Sequence, residues 1–344
     1  MPDCGNRILC NNILDAATAK LLHFGATASC VIPSFIRRAF VDMHVPSSAR
    51  RCVVFIGEMS QGKFIPRATG FLVVTGERDR AYHVPYLVTA EHVISGMAHA
   101  DKEIFVRVNL KNGTARVESA HNAVWSYHPT AWERTDVAVT SIAFDWDVVD
   151  HECIPLLTYD PVDDLPLMKP ERQFGLGDET FTVGLFRSHY GAQRNMPIIR
   201  IGNIAAMPEE PIKAKFGKDF IEGYLVEMRS IAGLSGSPVF VDRPMVPPTG
   251  LSVDPRFGPN PERVNWFKYH FLGLIHGHFD TPNPIEDMVV EDDEDSRVTV
   301  GINTGMGVVI PAKWILETLY QDDLVKDRER ALGKHKSDAA TPDD

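Results

Sequence analysis

Cysteine is scarce in this 344-residue chain, and it has no pattern. Cys4, Cys10, Cys30, Cys52 and Cys153 are odd in number, scattered in spacing and include no CxxC pair. That argues against a disulfide framework and against a structural zinc site. Reduced thiols in a cytoplasmic setting are the simpler account. Long hydrophobic runs are missing too. None reaches the ~18 residues that a membrane span needs, so no membrane partner is expected. The mildly apolar stretch at 21–36 holds His23 and Pro33 and lacks a basic start, which is not the pattern of a secretion signal. Positive charge is short as well: 35 Lys and Arg against 46 Asp and Glu give a net charge of −11. That sign argues against nucleic acid as the main partner. Seven of the acidic residues lie within 286–295, and without them the net charge would be −4. The acidity is therefore largely one local feature. No internal repeat is evident.

What is present is an ordinary globular composition, 44% hydrophobic and 24% charged, long enough for one large or two medium domains. From residue 51 the texture is one of short, β-branched apolar runs. Cys52–Ile56, Gly70–Val74, Tyr86–Thr89 and Val137–Ile142 read as strands, and Glu103–Leu110 alternates with period two. Residues 154–178 are rich in Pro and Asp without periodicity and read as a connector. Strands resume at Phe181–Phe186, Ile198–Ile201, Tyr224–Met228, Phe271–Ile275 and Met306–Ile310. Pro311 opens a helix with Ala312, Ile315, Leu316 and Leu319 on one face. The expected organisation is an N-terminal extension over 1–50, partly helical (Asp15–Phe24) or irregular, and a first β unit over 51–153. A connector over 154–178 leads to a second β unit over 179–310. A helix over 311–325 and a disordered tail over 326–344 complete it. Short strands regularly punctuated by turns predict an antiparallel sandwich or barrel.

Chemistry concentrates in Gly233-Leu234-Ser235-Gly236-Ser237-Pro238. Glycines open backbone angles closed to other residues. They also leave amide N–H groups uncovered, so that two could converge on one oxygen beside a serine. A tight Ser/Gly turn before a strand is the bland alternative. Two further residues weigh against it. His92 follows the apolar strand of Leu87-Val88-Thr89-Ala90-Glu91-His92, and Asp136 directly precedes Val137-Ala138-Val139. Alone, each has an ordinary reading, as a surface histidine and as a strand-end carboxylate. Together they give the order His, Asp, Ser, which is one of the known chain orders of the nucleophile–base–acid triad.

On these motifs the sequence resembles the trypsin-like (chymotrypsin-fold) serine peptidases, especially their cysteine-poor bacterial branch. Thr89-Ala90-Glu91-His92 is similar to the family's histidine motif and Thr135-Asp136-Val137-Ala138-Val139 to its aspartate motif. Gly233 to Pro238 is similar to its serine motif, with Ser237 where glycine is commoner. The resemblance covers roughly 51–320. It implies an all-β fold of two six-stranded antiparallel Greek-key barrels with a C-terminal helix. It implies a serine endopeptidase acting through an acyl-enzyme, with His92 as base, Asp136 as its orienting acid and Ser235 as nucleophile. The N–H groups of Gly233 and Ser235 would form the oxyanion hole. Gly273, His276, Gly277 and His278 would line the substrate strand, His276 near Asp136 and His278 at the pocket rim. Arg229 would approach the pocket floor and favour cleavage after Glu or Asp, unless it faces solvent or pairs with Glu227. A peptide or protein substrate is implied, and no cofactor. A metal site at His276, His278 and Asp280 lacks a fourth ligand and is not expected.

Three departures matter. Leu234 stands where secreted relatives carry the aspartate that pairs with a new N-terminus after zymogen cleavage, so activation by that route is not expected. Val93 follows the histidine, so the usual disulfide there is absent. The acidic run at 286–295 is an insertion near the pocket. Two other readings stay open: a two-barrel binding scaffold with a silent triad, and a processing enzyme acting on its own chain or on one partner. An α/β-hydrolase needs G-x-S-x-G on a strand-to-helix turn and the order Ser, Asp, His, and this chain has neither.

Overall fold

A computed structural model describes residues 45, 47–75, 84–156, 174–213, 220–228, 233–242, 269–282 and 301–338. The chain divides into two units, 1–44 and 45–344, and all described residues belong to the second. The expected helix at 15–24, most of the connector, Arg229 and the acidic run at 286–295 lie outside the described residues.

The fold is all-β, with helices near its C-terminal end. The first half contributes β1 (Val53–Ser60), β2 (Lys63–Thr75), β3 (Val84–Thr89), β4 (Phe105–Asn109), β5 (Ala115–Ser119), β6 (Ser126–Tyr127), β7 (Ala138–Ser141) and β8 (Ile154–Pro155). They form one eight-stranded sheet in the order β5-β4-β1-β2-β3-β7-β6, with β8 parallel to β2. Ladder pairing therefore does not close this half into a six-stranded ring. Its end strands explain why: β6 has two residues and β5 is largely exposed. The second half contributes β9 (Glu179–Gly184), β10 (Ile198–Ala206), β11 (Ile212–Lys213), β12 (Phe220–Ile221), β13 (Tyr224–Glu227), β14 (Pro238–Val241), β15 (His270–Pro282) and β16 (Gly301–Pro311). Six of them close a barrel in the order β10-β13-β16-β15-β14-β9, as expected for this half. The remaining pair, β11 and β12, forms a small ribbon.

Alternating apolar residues fill each interior. Val54, Leu72, Leu87, Val106, Val108 and Val149 form the core of the first sheet. Tyr224, Val226, Leu234, Val239, Leu272 and Val309 belong to that of the barrel. The two are joined where Phe71 of β2 meets Phe271 of β15 edge to face, with ring centroids 5.6 Å apart.

Three helices are described. α1 (Glu91–His99) was not expected; it buries Val93, Ile94 and Met97 and leads straight out of β3. α2 (Ala312–Leu319) is the predicted helix, with Pro311 at its N-cap. α3 (Asp322–Asp338) occupies 326–338 of the stretch expected to be a disordered tail, and 339–344 lie outside the described residues. Its anchor is Arg328, which is buried although charged. The guanidinium donates to the Tyr86 hydroxyl at 3.1 Å and to the Leu319 carbonyl at 2.6 Å, and it lies over the Tyr86 and Tyr320 rings. A pattern dominated by charge gave no hint of that dock. No helix among the described residues is long and apolar enough to cross a membrane.

Candidate active site

The register of β3 against β7 brings the first two candidate residues together. Thr89 pairs with Ala138, so the chain leaving β3 runs beside the chain entering β7. His92 sits in the first turn of α1, where backbone N–H groups have no helical partner. Asp136 supplies one. Its Oδ1 accepts the His92 backbone N–H at 2.9 Å, while its Oδ2 lies 2.7 Å from His92 Nδ1. One carboxylate thus caps the helix and fixes the imidazole it carries.

A second imidazole shares that carboxylate. His276 of β15 places its Nδ1 2.5 Å from the same Oδ2. The two rings meet edge to face with centroids 5.2 Å apart. An ionised carboxylate can only accept, so both Nδ1 atoms carry protons. Asp136 is completely buried. That burial, the largest single influence, pushes toward the neutral acid. The His92 charge, the bonds from His276 and His92 and the His276 charge together outweigh it, and hold the carboxyl well below the usual carboxylate range. The ligand-type atoms of His92, Asp136 and His276 lie within 4.8 Å of one another. Separations of 2.5 and 2.7 Å nevertheless mark hydrogen bonds. Ligands on one tetrahedral zinc would stand about 3.3 Å apart.

The serine loop is positioned by sterics. Gly233 has φ +105° and Gly236 φ +80°, both left-handed. A Cβ on Gly236 would fall 2.2 Å from the Thr69 carbonyl oxygen and 2.3 Å from Thr89 Oγ1. The turn is then stitched to its surroundings. Gly236 N–H donates to the Ile275 carbonyl at 2.8 Å, and Ile275 N–H to that of Ser237 at 2.9 Å. Thr69, on β2, is the hub. Its N–H donates to the Ser235 carbonyl at 3.0 Å and its hydroxyl to the Gly233 carbonyl at 2.8 Å. It also accepts from Leu185 N–H and, through its own carbonyl, from the Thr89 hydroxyl. These bonds orient the peptide units around Ser235. Among the described residues neither the Gly233 nor the Ser235 N–H donates to a protein acceptor. Leu234 is fully buried in the barrel core, which accounts for an apolar residue at that position.

The candidates come together unevenly. His92, Gly233, Ser235, Gly277 and His278 line one cleft of about 440 Å³, and Arg187 lines it with them. His276 turns its ring inward to Asp136, and only its carbonyl, which accepts from Ser235 Oγ at 3.1 Å, reaches the serine. Gly273 lies in the barrel wall, where a Cβ would meet the Ile310 carbonyl oxygen at 1.8 Å, and does not line the cleft. Ser237 is fully buried behind the loop. Thr69 and Arg187 were missed. Neither carries a motif: one is an alternate residue of a strand, the other a lone cation after an apolar run.

No family model matches this chain, and no curated protein matches it. Among solved structures, the crystal structure of Deg5 aligns over 66% of this chain and 80% of its own length at 16% identity. The TM-score is 0.38, a likeness too slight to bear on fold or chemistry.

Proposed function

We propose that this protein is a serine endopeptidase of trypsin-like type. The observation that carries the reading is the Asp136–His92 hydrogen bond at 2.7 Å, with His92 and Ser235 on the wall of one cleft. A serine hydroxyl is a poor nucleophile at neutral pH and needs a base. Ser235 Oγ attacks the scissile carbonyl carbon as its proton passes to His92 Nε2. Asp136 keeps the Nδ1 proton in place and stabilises the imidazolium that forms. The developing oxyanion is received by the N–H groups of Gly233 and Ser235, each such donor contributing about 10²–10³ in rate. His92 then returns the proton to the leaving amine. Water, deprotonated by the same base, hydrolyses the acyl-enzyme.

A fluorophosphonate probe tests this. Covalent labelling of the folded protein that disappears in Ser235→Ala is the expected result. Labelling that survives Ser235→Ala refutes the assignment of the nucleophile.

One observation favours a second reading, a latent or silent site. Ser235 has one hydroxyl proton, and it points to the His276 carbonyl. While it does, it is not shared with His92. In the catalytic reading Oγ turns to His92 for attack, so the folded protein labels, and a peptide that occupies the cleft slows labelling by competing with the probe. A folded protein that never labels, with or without peptide, is a binding scaffold.

A further inference from the structure

The cleft is cationic in a protein of net charge −11. Arg67, Lys102 and Arg187 line it, and among the described residues no Asp or Glu does. Two of these cations are engaged. Glu58, itself buried, accepts from Arg67 Nε at 2.9 Å and pairs with Lys102 Nζ at 2.7 Å. Their bonds hold its carboxyl below the usual range, so it stays ionised beside them. Arg187 pairs with no carboxylate among the described residues, and it is exposed. It also stands close to the serine loop: a Cβ on Gly233 would lie 2.9 Å from Arg187 Cγ.

Arg187 belongs to two spaces at once. Besides the cleft, it lines a neighbouring cavity of about 560 Å³ with Phe64, Pro66, Phe186 and Tyr190. Among the described residues that second cavity is lined by none of β15, the strand whose His276 carbonyl accepts from Ser235 Oγ. A peptide paired with β15 on its acyl side and continuing past Ser235 to Arg187 would enter this cavity on its leaving-group side.

The support under Arg187 is preorganised. The Tyr190 ring is held by the Arg107 guanidinium, 5.3 Å from its centroid. Arg107 in turn donates to the Gly191 and Ala192 carbonyls at 2.9 and 3.0 Å. Asn195 exchanges bonds with Asn109 and the Arg107 carbonyl, and Arg194 pairs with Asp150. The segment that presents Arg187 is thus bolted to β4 and its neighbours, so little ordering is needed when a ligand arrives. A guanidinium on a fixed support, beside aromatic walls, suits bidentate capture of a carboxylate.

We propose that Arg187 is a specificity-determining residue: it selects peptides with a Glu or Asp side chain within two positions on the leaving-group side of the scissile bond. The proposal rests on the endopeptidase reading for the word scissile, but the acidic preference belongs to the cleft itself. Two measurements separate them. The first is cleavage of a peptide library randomised over those positions by the wild-type protein, with products read by mass spectrometry. Glu and Asp should be enriched there and Lys and Arg depleted. The second is binding of fluorescent peptides to Ser235→Ala, followed by anisotropy. An acidic peptide should bind at least about tenfold tighter than its Gln counterpart. Added salt should erode that ratio. Arg187→Gln should abolish the ratio, and Arg187→Glu should turn it toward Lys. If fluorophosphonate labelling fails while the binding ratio holds, the enzyme reading is lost and this one stands. Labelling with no charge preference in either measurement overturns this one alone. A preference that survives Arg187→Gln also overturns it.

Discussion

The first sheet and the closed barrel each build one side of the cleft, and they position their residues by different forces. On the first-sheet side, charge and hydrogen bonding do the placing. Asp136 caps α1, fixes His92 and is itself held ionised by the imidazoles around it. On the barrel side, sterics do the placing. Gly233 and Gly236 sit at positive φ, with no room for a Cβ. Thr69 and Phe71 cross between the two, so neither side is placed alone. The lesson is that the two sides should fail differently. The first should respond to charge changes that leave shape intact, and the second to added atoms that leave charge intact.

Asp136→Asn tests the first claim and carries the largest expected effect. The amide keeps the volume but cannot accept on both sides of the group as a carboxylate does, because its nitrogen only donates. The His92 tautomer is then no longer imposed. On the proposed endopeptidase reading, the rate of peptide cleavage should fall by about 10⁴, with the protein still folded. A loss of less than about tenfold would separate Asp136 from the chemistry and leave it a helix cap. Gly236→Ala tests the second claim. It forces a Cβ to 2.2 Å from a backbone oxygen at φ +80°. We expect a loss of about 3–4 kcal/mol or more in chemical denaturation, from strain and overpacking together. Gly113→Ala is the control. Its φ is +87°, but nothing lies within 4 Å of the added atom, so only the backbone term of about 1–2 kcal/mol remains. Equal losses in the two would mean that close packing does not hold the serine loop.

Much of this was legible in the residues, and for definable reasons. Strands announce themselves by alternation, and the triad candidates carry short motifs in a known order. What stayed hidden lies in three dimensions. α1 was missed because Val93, Ile94 and Met97 give only one turn and a half of apolar pattern directly after an apolar strand. α3 was missed because its decisive contact is a charged residue, Arg328, docking on Tyr86, 242 positions earlier. The double claim of His92 and His276 on one oxygen depends on β15 reaching across to Asp136, 140 positions away. Thr69 holds the serine loop through two bonds and ties it to Leu185 and Thr89 through two more, yet in sequence it is one more strand threonine. Closure also differed between the halves, because ladder pairing depends on end strands whose lengths cannot be read from apolar pattern.

Two buried histidines sharpen the comparison further. His151, packed on the first sheet, and His270, in the barrel wall, are both pushed down to about 4 by burial. Each is neutral in the fold at pH 7, and the unfolded chain takes up its proton at about 6.5. The unfolded state therefore binds more protons between those values. Stability is full above about pH 6.5, falls as the pH drops and stops falling below about 4, by up to about 3 kcal/mol per histidine. Replacing each should give unequal losses. His151 accepts the Asn109 N–H at 2.8 Å and donates to the Arg51 carbonyl at 2.7 Å. His151→Leu strands both groups and should cost about 2–4 kcal/mol at pH 7. His270 packs edge-on against Phe174, with centroids 4.6 Å apart. His270→Leu should cost less than about 1.5 kcal/mol at pH 7 and should remove its share of the acid sensitivity. Denaturant titrations at pH 4.5 and 7 read both. If both variants lose the same stability at pH 7, the contrast between a hydrogen-bonded side and a packed side is wrong.

The smallest effect expected is at Ser237, and it decides between the two serines of the loop. Ser237 is fully buried and points away from the cleft toward β9, where a Cβ on Gly184 would fall 2.0 Å from its hydroxyl. Its backbone is engaged with Leu234 and Ile275, and its hydroxyl has no hydrogen-bond partner among the described residues. A buried hydroxyl without a partner costs stability and contributes none. Ser237→Ala removes that oxygen and changes nothing the cleft sees. Stability should hold or rise by up to about 1 kcal/mol, since no bond is lost. Fluorophosphonate labelling should stay within about twofold of wild type, because a change this size away from the cleft leaves its geometry alone. The pair of variants is the sharp form of the test. Labelling lost in Ser237→Ala and kept in Ser235→Ala would exchange their roles, and would require the buried serine to reach a cleft that its own loop closes off.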